Sequence, residues 1–257
     1  MLYAYLNGEK IEATRKQRRA SCGICEGEVI AKCGEHAAWH WAHKTKDCDP
    51  WSEPETAWHK KWKELFLPDW REVRIGSHRC DIRTPRYVIE LQHSYLPSSE
   101  VSVREEYYGK MLWIFDMRKT AHRLDYPSET SGQLRWPRFS KIIQSCRKPV
   151  FVHLRKGELL HIYDYGFLPY RDCVSYRRFT KDEFLCSVGA PILNVATPVA
   201  IKDFESSATR KKDLHAARSI YVGRPASEVS LKSSTHVDTV QTHLDFRDYP
   251  IGRTKPK

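Results

Sequence analysis

The feature that most constrains this chain is a cluster of cysteines and histidines near its amino end. It consists of two short pairs and one further cysteine, Cys22-x2-Cys25, His40-x2-His43 and Cys48. Zinc takes four thiolate or imidazole ligands in a tetrahedron, and a Cys-x2-Cys pair spans one edge of it. Four of the eight cysteines lie in the first fifth of the chain, which is typical of a metal site rather than a disulfide framework. The sequence therefore predicts a small zinc-binding module over residues 1–50.

The cluster has more candidate ligands than a tetrahedral site has places. The predicted set is Cys22, Cys25, His43 and Cys48. His40 is the alternative ligand, and Cys33 and His36 are weaker candidates. Because successive side chains of an extended segment point to opposite faces, we expect His43 to point away from His40 and towards Cys48. No open coordination position is evident, so we expect a zinc ion that stabilises the fold and does not catalyse a reaction.

Composition narrows the class of protein further. The 43 Lys and Arg against 32 Asp and Glu give a formal charge of +11, which favours an anionic partner such as nucleic acid. The longest apolar runs, such as Met111–Phe115, are far shorter than the roughly 20 residues that a membrane span needs. No long apolar leader follows Met1. We therefore expect a cytoplasmic protein with no membrane partner.

The residues beyond the cluster predict a second, larger unit of the α/β class. Its main elements are a helix at Glu55–Phe66, strands at Arg71–Ile75, Arg79–Arg83 and Tyr87–Gln92, a helix at Pro97–Lys110 and a strand at Met111–Phe115. The helices carry recurring residues at steps of three and four, whereas the strands alternate or are continuously apolar. A helix between two successive strands predicts a βαβ unit and hence a mixed sheet.

Weaker patterns follow this core. They predict a helix at Trp136–Cys146, a hairpin of Val150–Leu154 with Leu159–Tyr163, and a short helix at Phe179–Leu185. From about Ser206 the chain is rich in Ser, Thr, Lys and Arg, which is typical of disorder. We expect a core over residues 51–118, an accessory helix and hairpin region over 119–204, and a polar, largely disordered tail over 205–257.

Polar residues on the first predicted helix form one stripe. Glu55, His59 and Lys63 are spaced by four residues, so their side chains lie on the same face. A solvated helix face with favourable pairs has the same spacing. Ser52-x-x-Glu55 also fits a capping box, in which Glu55 only closes the start of the helix. The stripe alone therefore leaves a purely structural role open.

The predicted strands add a second group of polar residues. Asp81 lies in the second strand, and Glu90 and Gln92 are two apart on the third, so the latter two point to one face. A short turn joins these strands and can bring Asp81 and Glu90 together. Glu90 is the only acid in an apolar run, where a charge is costly without a partner. Because oxygen ligands suit Mg²⁺ or Mn²⁺, the pair is a candidate site for a divalent cation.

Five stretches of the chain and the Cys/His segment together carry a family resemblance. The stretches are Glu55–Lys63, His78–Ile82, Val88–Ser94, Arg104–Tyr108 and Trp113–Ile114. They resemble the competence protein CoiA-like nucleases, and the Cys-x2-Cys and His-Trp-Ala-His segment resembles the zinc-binding part of that family. The resemblance extends over roughly residues 20–165. The family belongs to the PD-(D/E)XK superfamily, so the resemblance implies a restriction-endonuclease-like mixed sheet core (helix, three strands, helix, strand) after the zinc-binding module.

The resemblance also implies roles for individual residues. The implied catalytic set is Glu55, His59, Lys63, Asp81, Glu90 and Gln92, with Asp81 and Glu90 as the ligands of Mg²⁺ or Mn²⁺ and Glu55 as an assisting helix acid. Gln92 occupies the place where most of the superfamily has Lys, and a neutral amide brings no charge. Lys63 or His59 would supply the missing positive charge from the helix, or His59 would act as general base. Arg104 and Tyr108, one turn apart on the second helix, would hold a phosphate.

The sequence favours a metal-dependent deoxyribonuclease. Cation-bound water would attack the phosphodiester, and the basic residues nearest the zinc module would hold the nucleic acid through its phosphates. These residues are Arg15, Lys16, Arg18, Arg19 and Lys44. The alternative is a nucleic-acid-binding protein of the same fold without catalysis, a hypothesis that Gln92 favours. A third hypothesis is a zinc-dependent HNH-like nuclease centred on residues 22–48, for which Asp81 and Glu90 would be dispensable.

The expected biological setting follows from the resemblance alone. The family is linked to processing of incoming DNA in natural competence, and related proteins occur in mobile elements and phage defence. DNA is the expected partner, although the sequence does not separate DNA from RNA. A protein of a competence or defence system is a further expected partner.

Overall fold

The computed structural model describes residues 1–35, 38–45, 47–119, 130–136, 140–154, 157–165 and 173–192. These residues form two β-sheets, of five and eight strands, and four α-helices. The predicted tail over 205–257 lies outside the described residues, as does part of the accessory region over 119–204. No helix in the described ranges is both long and apolar enough to cross a membrane.

The first sheet contains the amino-terminal strands. They are β1 (Tyr3–Leu6), β2 (Glu9–Glu12), β3 (Arg19–Ser21), β4 (Glu28–Lys32) and β5 (His40–His43). They pair antiparallel in the order β2-β1-β3-β4-β5. Asn7 and Gly8 connect β1 to β2 with φ values of 52° and 84°, the left-handed geometry that an Asn-Gly hairpin turn requires. Val29 and Trp41 are fully buried in the core of this sheet.

The second sheet is larger and mixed. Its strands are β6 (Arg71–Ile75), β7 (His78–Arg83), β8 (Val88–Gln92), β9 (Met111–Asp116), β10 (Ser131–Arg135), β11 (Val150–His153), β12 (Leu159–Tyr165) and β13 (Cys173–Phe179). The spatial order is β10-β13-β12-β11-β9-β8-β7-β6. Strand β9 pairs parallel with both β8 and β11, and the other pairs are antiparallel. The prediction of a mixed α/β fold with a mixed sheet is confirmed.

Helices cover both faces of this second sheet. They are α1 (Ala57–Lys63), α2 (Ser98–Tyr108), α3 (Lys141–Ser145) and α4 (Lys181–Ser187). Helices α1 and α4 pack on one face around Trp62 and Phe184, whereas α2 and α3 pack on the other around Val101 and Ile143. Double coverage explains why all five residues of β8 are buried. It also places Glu90 and Gln92 in the interior rather than on a wet face.

The start of α1 differs from the sequence prediction. The helix begins at Ala57, and Thr56 rather than Ser52 is its N-cap. Thr56 accepts a hydrogen bond from the His59 backbone N–H, and the His59 side chain accepts one from the Thr56 N–H. The Ser52–Glu55 capping box is therefore wrong, because histidine has taken the reciprocal role that Glu or Gln usually fills. Glu55 is left free to point elsewhere.

The accessory region contains more strand than expected. The hairpin of β11 and β12 matches the predicted one, and helix α3 is shorter than the predicted Trp136–Cys146, of which residues 137–139 lie outside the described part. Strands β10 and β13 were not expected from the sequence. They extend the sheet beyond β12 through two antiparallel pairs.

His153, at the end of β11, makes the fold sensitive to acid. Its Nδ1 accepts the indole N–H groups of Trp58 (2.7 Å) and Trp62 (3.1 Å). Burial lowers the pKa of His153 to about 4. As pH falls below about 6.5, this histidine becomes protonated in the unfolded chain before it does so in the folded protein. The free energy of unfolding should therefore decrease between about pH 6.5 and 4.

We predict that His153→Gln, which retains an acceptor but does not titrate, loses less stability than the wild type on acidification. The free energies of unfolding in urea at pH 7 and pH 5 measure the difference for each protein. An equal loss in both proteins would contradict this role of His153.

Candidate functional site

Four side chains of the cysteine cluster converge on one point. The ligand atoms of Cys22, Cys25, His43 and Cys48 all lie within 4.8 Å of one another. Cys22 Sγ is 3.6 Å from Cys48 Sγ, and Cys25 Sγ is 3.3 Å from His43 Nε2. A tetrahedron with zinc–sulfur bonds of about 2.3 Å and zinc–nitrogen bonds of about 2.0 Å has edges of roughly 3.5–3.8 Å. This Cys3His group can therefore hold a metal such as zinc.

Local backbone geometry presents the first two thiols. A tight turn after β3 is closed by hydrogen bonds from the Cys22 N–H to Gly27 O (2.9 Å) and from the Glu26 N–H to Cys22 O (3.0 Å). Glu26 has a φ of 61°, which the turn requires. The Ile24 N–H also donates a hydrogen bond to Cys22 Sγ at 3.4 Å.

The other predicted candidates lie apart from this group. His40 Nδ1 is 2.8 Å from Ala38 O, and His40 is not one of the four, as expected for strand residues three positions apart, which lie on opposite faces. Cys33 is half-buried beside the same core and is not one of the four, and His36 lies outside the described residues. Asp47 Oδ1 lies 3.5 Å from His43 Nδ1, a buried nitrogen that has no hydrogen-bond partner among the described residues.

The Cys48 thiol resists ionisation beside the other two sulfurs. Burial and the neighbouring Cys22 and Cys25 sulfurs raise the pKa of Cys48 to about 12. A bound metal would reverse this repulsion, because a metal deprotonates its thiol ligands. The Cys48 thiolate is therefore unfavourable in this cluster unless a metal is bound.

We predict about one zinc per chain in the purified protein, measured by elemental analysis. Cys48→Ser should lose the metal and several kcal/mol of stability, since binding energy at a structural zinc site is folding energy. Cys33→Ser is the matched control and should keep both. Equal zinc content in the two variants would contradict the ligand set.

A buried lysine organises the second group of polar residues. Lys63 Nζ, on α1, lies 3.1 Å from Glu55 Oε1, 2.8 Å from Glu72 Oε1 and 2.9 Å from Asp81 Oδ1. The Lys63 side chain is only 2% exposed. Burial opposes its charge, but Asp81, Glu55 and Glu72 outweigh burial and raise the pKa of Lys63 well above its ordinary value. Lys63 is therefore a permanent ammonium shared by three carboxylates.

Asp81 and Glu90 interlock across the strands β7 and β8. The Asp81 N–H donates to Glu90 Oε1 (3.3 Å), and the Leu91 N–H donates to Asp81 Oδ2 (2.9 Å). Burial opposes the charge of Asp81, but Lys63 outweighs it and lowers its pKa. Burial and the nearby Asp81 raise the pKa of Glu90 to about 8. The structure thus brings the two predicted metal-binding carboxylates together, as the turn between their strands suggested.

Glu72 is a site residue that the sequence analysis missed. It lies opposite Asp81, because Arg71 pairs with Ile82 and Val73 pairs with Cys80. Its backbone φ of 47° is rare for residues other than Gly or Asn. Such backbone strain is tolerated where surrounding contacts fix the residue. Here Glu72 accepts hydrogen bonds from the Leu2 N–H (2.7 Å) and Tyr3 N–H (3.1 Å), in addition to contacting Lys63. Alternation along β6 gives no signal for this role.

Glu53 is a second residue that was missed. Gln92 Nε2 donates to Glu53 Oε1 and to Ser94 O, so the amide of Gln92 turns towards a carboxylate rather than replacing a lysine. Glu53 Oε2 is buried and has no hydrogen-bond partner among the described residues. It lies 3.9 Å from His59 Nε2, which is itself 3.1 Å from Leu91 O. An acid just before a helix is too common for the sequence alone to single out.

Both predicted phosphate-binding residues point inwards. Arg104 is 4% exposed, and its guanidinium contacts Glu90 Oε2 at 3.0 Å and Trp51 O at 3.0 Å. Tyr108 Oη is buried and has no hydrogen-bond partner within the described ranges. Arg104 therefore supports Glu90 in this structure, and a phosphate would have to compete with that ion pair.

One comparison with known proteins places a match in the amino-terminal part of the chain. Residues 4–50 match the family model described as "Competence protein CoiA, N-terminal domain", a segment that contains all four members of the Cys3His group. The resemblance to CoiA is confirmed. Competence protein CoiA of Bacillus subtilis (strain 168) is 36% identical over 75 residues, which is 28% of this chain and 20% of that protein. The alignment thus spans about a fifth of the curated relative, and no solved structure matches.

We predict that Lys63→Ala lowers the free energy of unfolding by about 3–5 kcal/mol, because it leaves buried carboxylates without their counter-ion. Lys61→Ala changes an exposed lysine of the same helix and should cost less than about 0.5 kcal/mol. Urea denaturation of both variants measures the difference. Similar costs at the two positions would show that the carboxylate group does not depend on Lys63.

Proposed function

We propose that this protein is a metal-dependent nuclease that hydrolyses DNA phosphodiester bonds and carries a structural zinc ion in its Cys3His group. The observation that carries the proposal is the interlocked pair of Asp81 and Glu90 on neighbouring strands. The elements run α1, β6, β7, β8, α2, β9 around this pair, which is the order of a restriction-endonuclease-like core. Glu90 is buried beside the partly exposed Asp81, and two such acids are costly without positive charge, which Lys63 and Arg104 supply here and a bound cation would add to.

The donor set of the carboxylate site fits Mg²⁺ or Mn²⁺. Asp81 and Glu90 would hold the cation. The unpaired Glu53 Oε2 is a further oxygen in the same neighbourhood, since burial and the nearby Asp81 both raise the pKa of Glu53. Hard cations prefer such oxygen ligands. When bound, a cation of this kind supplies activated water and stabilises charge on the phosphodiester.

The residues around the pair have supporting tasks. Lys63 keeps Asp81 ionised, which a cation ligand requires. His59 has its Nδ1 at the Thr56 cap and its Nε2 beside Leu91 O, so it orients the start of α1 against β8. Gln92 holds Glu53 in place. In this account neither His59 nor Gln92 needs to carry charge.

Nucleic acid would be held through its phosphates by basic residues near the zinc module. Arg19 and Lys44 both pair with Glu28, at 3.0 Å and 2.6 Å, so these two are partly neutralised. Arg15 lies over the half-exposed ring of Trp39 at 5.5 Å, which combines a cation with a stacking surface. Binding should therefore weaken steeply with added salt.

The second candidate function is nucleic-acid binding without catalysis. The ion pair between Arg104 and Glu90 favours it, because an arginine already neutralises one of the two cation ligands.

The biological setting is also part of the proposal. We propose DNA uptake and processing in competence, or defence against foreign DNA, and the match of residues 4–50 to the CoiA model supports this setting.

We predict that wild-type protein cuts plasmid, linear duplex or single-stranded DNA with Mg²⁺ or Mn²⁺ and not with EDTA. Asp81→Asn should reduce the rate about a hundredfold or more while DNA binding remains. Asp69→Asn, at an exposed position, is the control and should cut normally. Tight DNA binding without cutting under either metal would favour the non-catalytic alternative. Cutting by Asp81→Asn at the wild-type rate would place the chemistry elsewhere.

A further inference from the structure

The segment that carries the last ligand of the Cys3His group continues directly into the carboxylate site. Asp49 follows Cys48 and is 1% exposed. Asp49 Oδ1 lies 2.8 Å from His78 Nδ1, and Asp49 Oδ2 accepts the Arg79 N–H at 2.8 Å. Both oxygens therefore hold the beginning of β7, two residues before Asp81.

A second connection runs from Asp49 to the other carboxylate. Asp49 Oδ1 also accepts the Trp51 N–H at 3.0 Å, and the Trp51 ring stacks on His78 with 8° between the planes. The carbonyl oxygen of Trp51 accepts from Arg104 Nη2 at 3.0 Å, while Arg104 Nη1 contacts Glu90 Oε2. One buried aspartate thus supports both Asp81, through β7, and Glu90, through Trp51 and Arg104.

Asp49 ends the metal-binding segment and contacts Trp51, His78 and Arg79 through its two carboxylate oxygens. Groups that orient the ligands of a metal commonly change its affinity 10–100-fold when altered, although they never touch it. A change in one member of a buried polar network also affects the other members, because a single mispaired donor displaces its neighbours. Asp49 occupies such a position with respect to Asp81 and Glu90.

We propose that Asp49 is a positioning residue, through which the Cys3His module holds Asp81 and Glu90 in the geometry that binds a divalent cation. The inference rests on the proposed function and goes beyond it, since it gives the module a role at the carboxylate site itself. The module then acts on the reaction by orienting acids rather than only by binding nucleic acid.

The test compares Asp49→Asn with Asp69→Asn in zinc-loaded protein. Asparagine keeps one acceptor oxygen but places an amide NH2 against a backbone N–H donor. We expect Asp49→Asn to retain its zinc and to raise both the Mn²⁺ dissociation constant, measured by electron paramagnetic resonance, and the Mn²⁺ concentration for half-maximal cleavage about tenfold or more. Asp69→Asn should match the wild type. His78→Ala, which leaves Asp49 beside Cys48 unchanged, should shift both quantities in the same direction.

The outcomes separate the two proposals. A merely structural role would lower the unfolding midpoint and the active fraction, yet leave the Mn²⁺ half-saturation of the folded molecules unchanged, and that result would overturn the positioning role. Wild-type Mn²⁺ affinity in both Asp49→Asn and His78→Ala would overturn it as well, while the nuclease proposal stood. A wild type that neither binds Mn²⁺ at this site nor cuts DNA would instead remove the proposed function and the inference with it.

Discussion

One buried ammonium, that of Lys63, holds α1, β6 and β7 together. Three carboxylates from three different parts of the chain share it: Glu55 before α1, Glu72 on β6 and Asp81 on β7. Without the cation these acids would repel one another in a region of low dielectric, where an unpaired charge is far more costly than at the surface. With it, α1, β6 and β7 are held together at Glu72, where a φ of 47° departs from regular strand geometry.

The same charge balance joins the two sheets. Glu72 contacts Lys63 and also accepts the backbone N–H groups of Leu2 and Tyr3, so the first strand of the small sheet docks on a carboxylate of the large one. Asp49 makes the corresponding connection from the metal-binding loop to β7. Carboxylates that a folded protein would ordinarily leave in water are here the attachment points between its parts. This explains why so many acids are buried in a chain whose net charge is strongly positive.

Sequence patterns located the main elements but not these cross-connections. The strand at Arg71–Ile75 was predicted with its observed bounds, and the Cys-x2-Cys spacing pointed to the cluster, because hydrophobic periodicity and ligand spacing are local properties. The sequence placed Glu72 only within the strand Arg71–Ile75, since nothing local indicates a left-handed residue opposite Asp81.

The misses share one physical cause. Thr56 rather than Ser52 caps the helix, because tertiary contacts hold the residues before Thr56 outside the helix. Glu53 belongs to the site only because Gln92 of β8 donates a hydrogen bond to it. Strands β10 and β13 carry mixed patterns with charged residues, and only the sheet edge they join gives them partners. Long-range pairing therefore decided each of these cases, and single-sequence reasoning has no access to it.

The decisive measurement is anomalous diffraction from crystals of the zinc-loaded protein soaked in Mn²⁺. We predict one zinc peak inside the Cys3His group and one Mn²⁺ peak between Asp81 and Glu90, with Glu53 turned towards it. Crystals with zinc in place and no Mn²⁺ at Asp81 and Glu90 would contradict the proposed cation site, and would leave Lys63 and Arg104 as the lasting counter-ions of these acids.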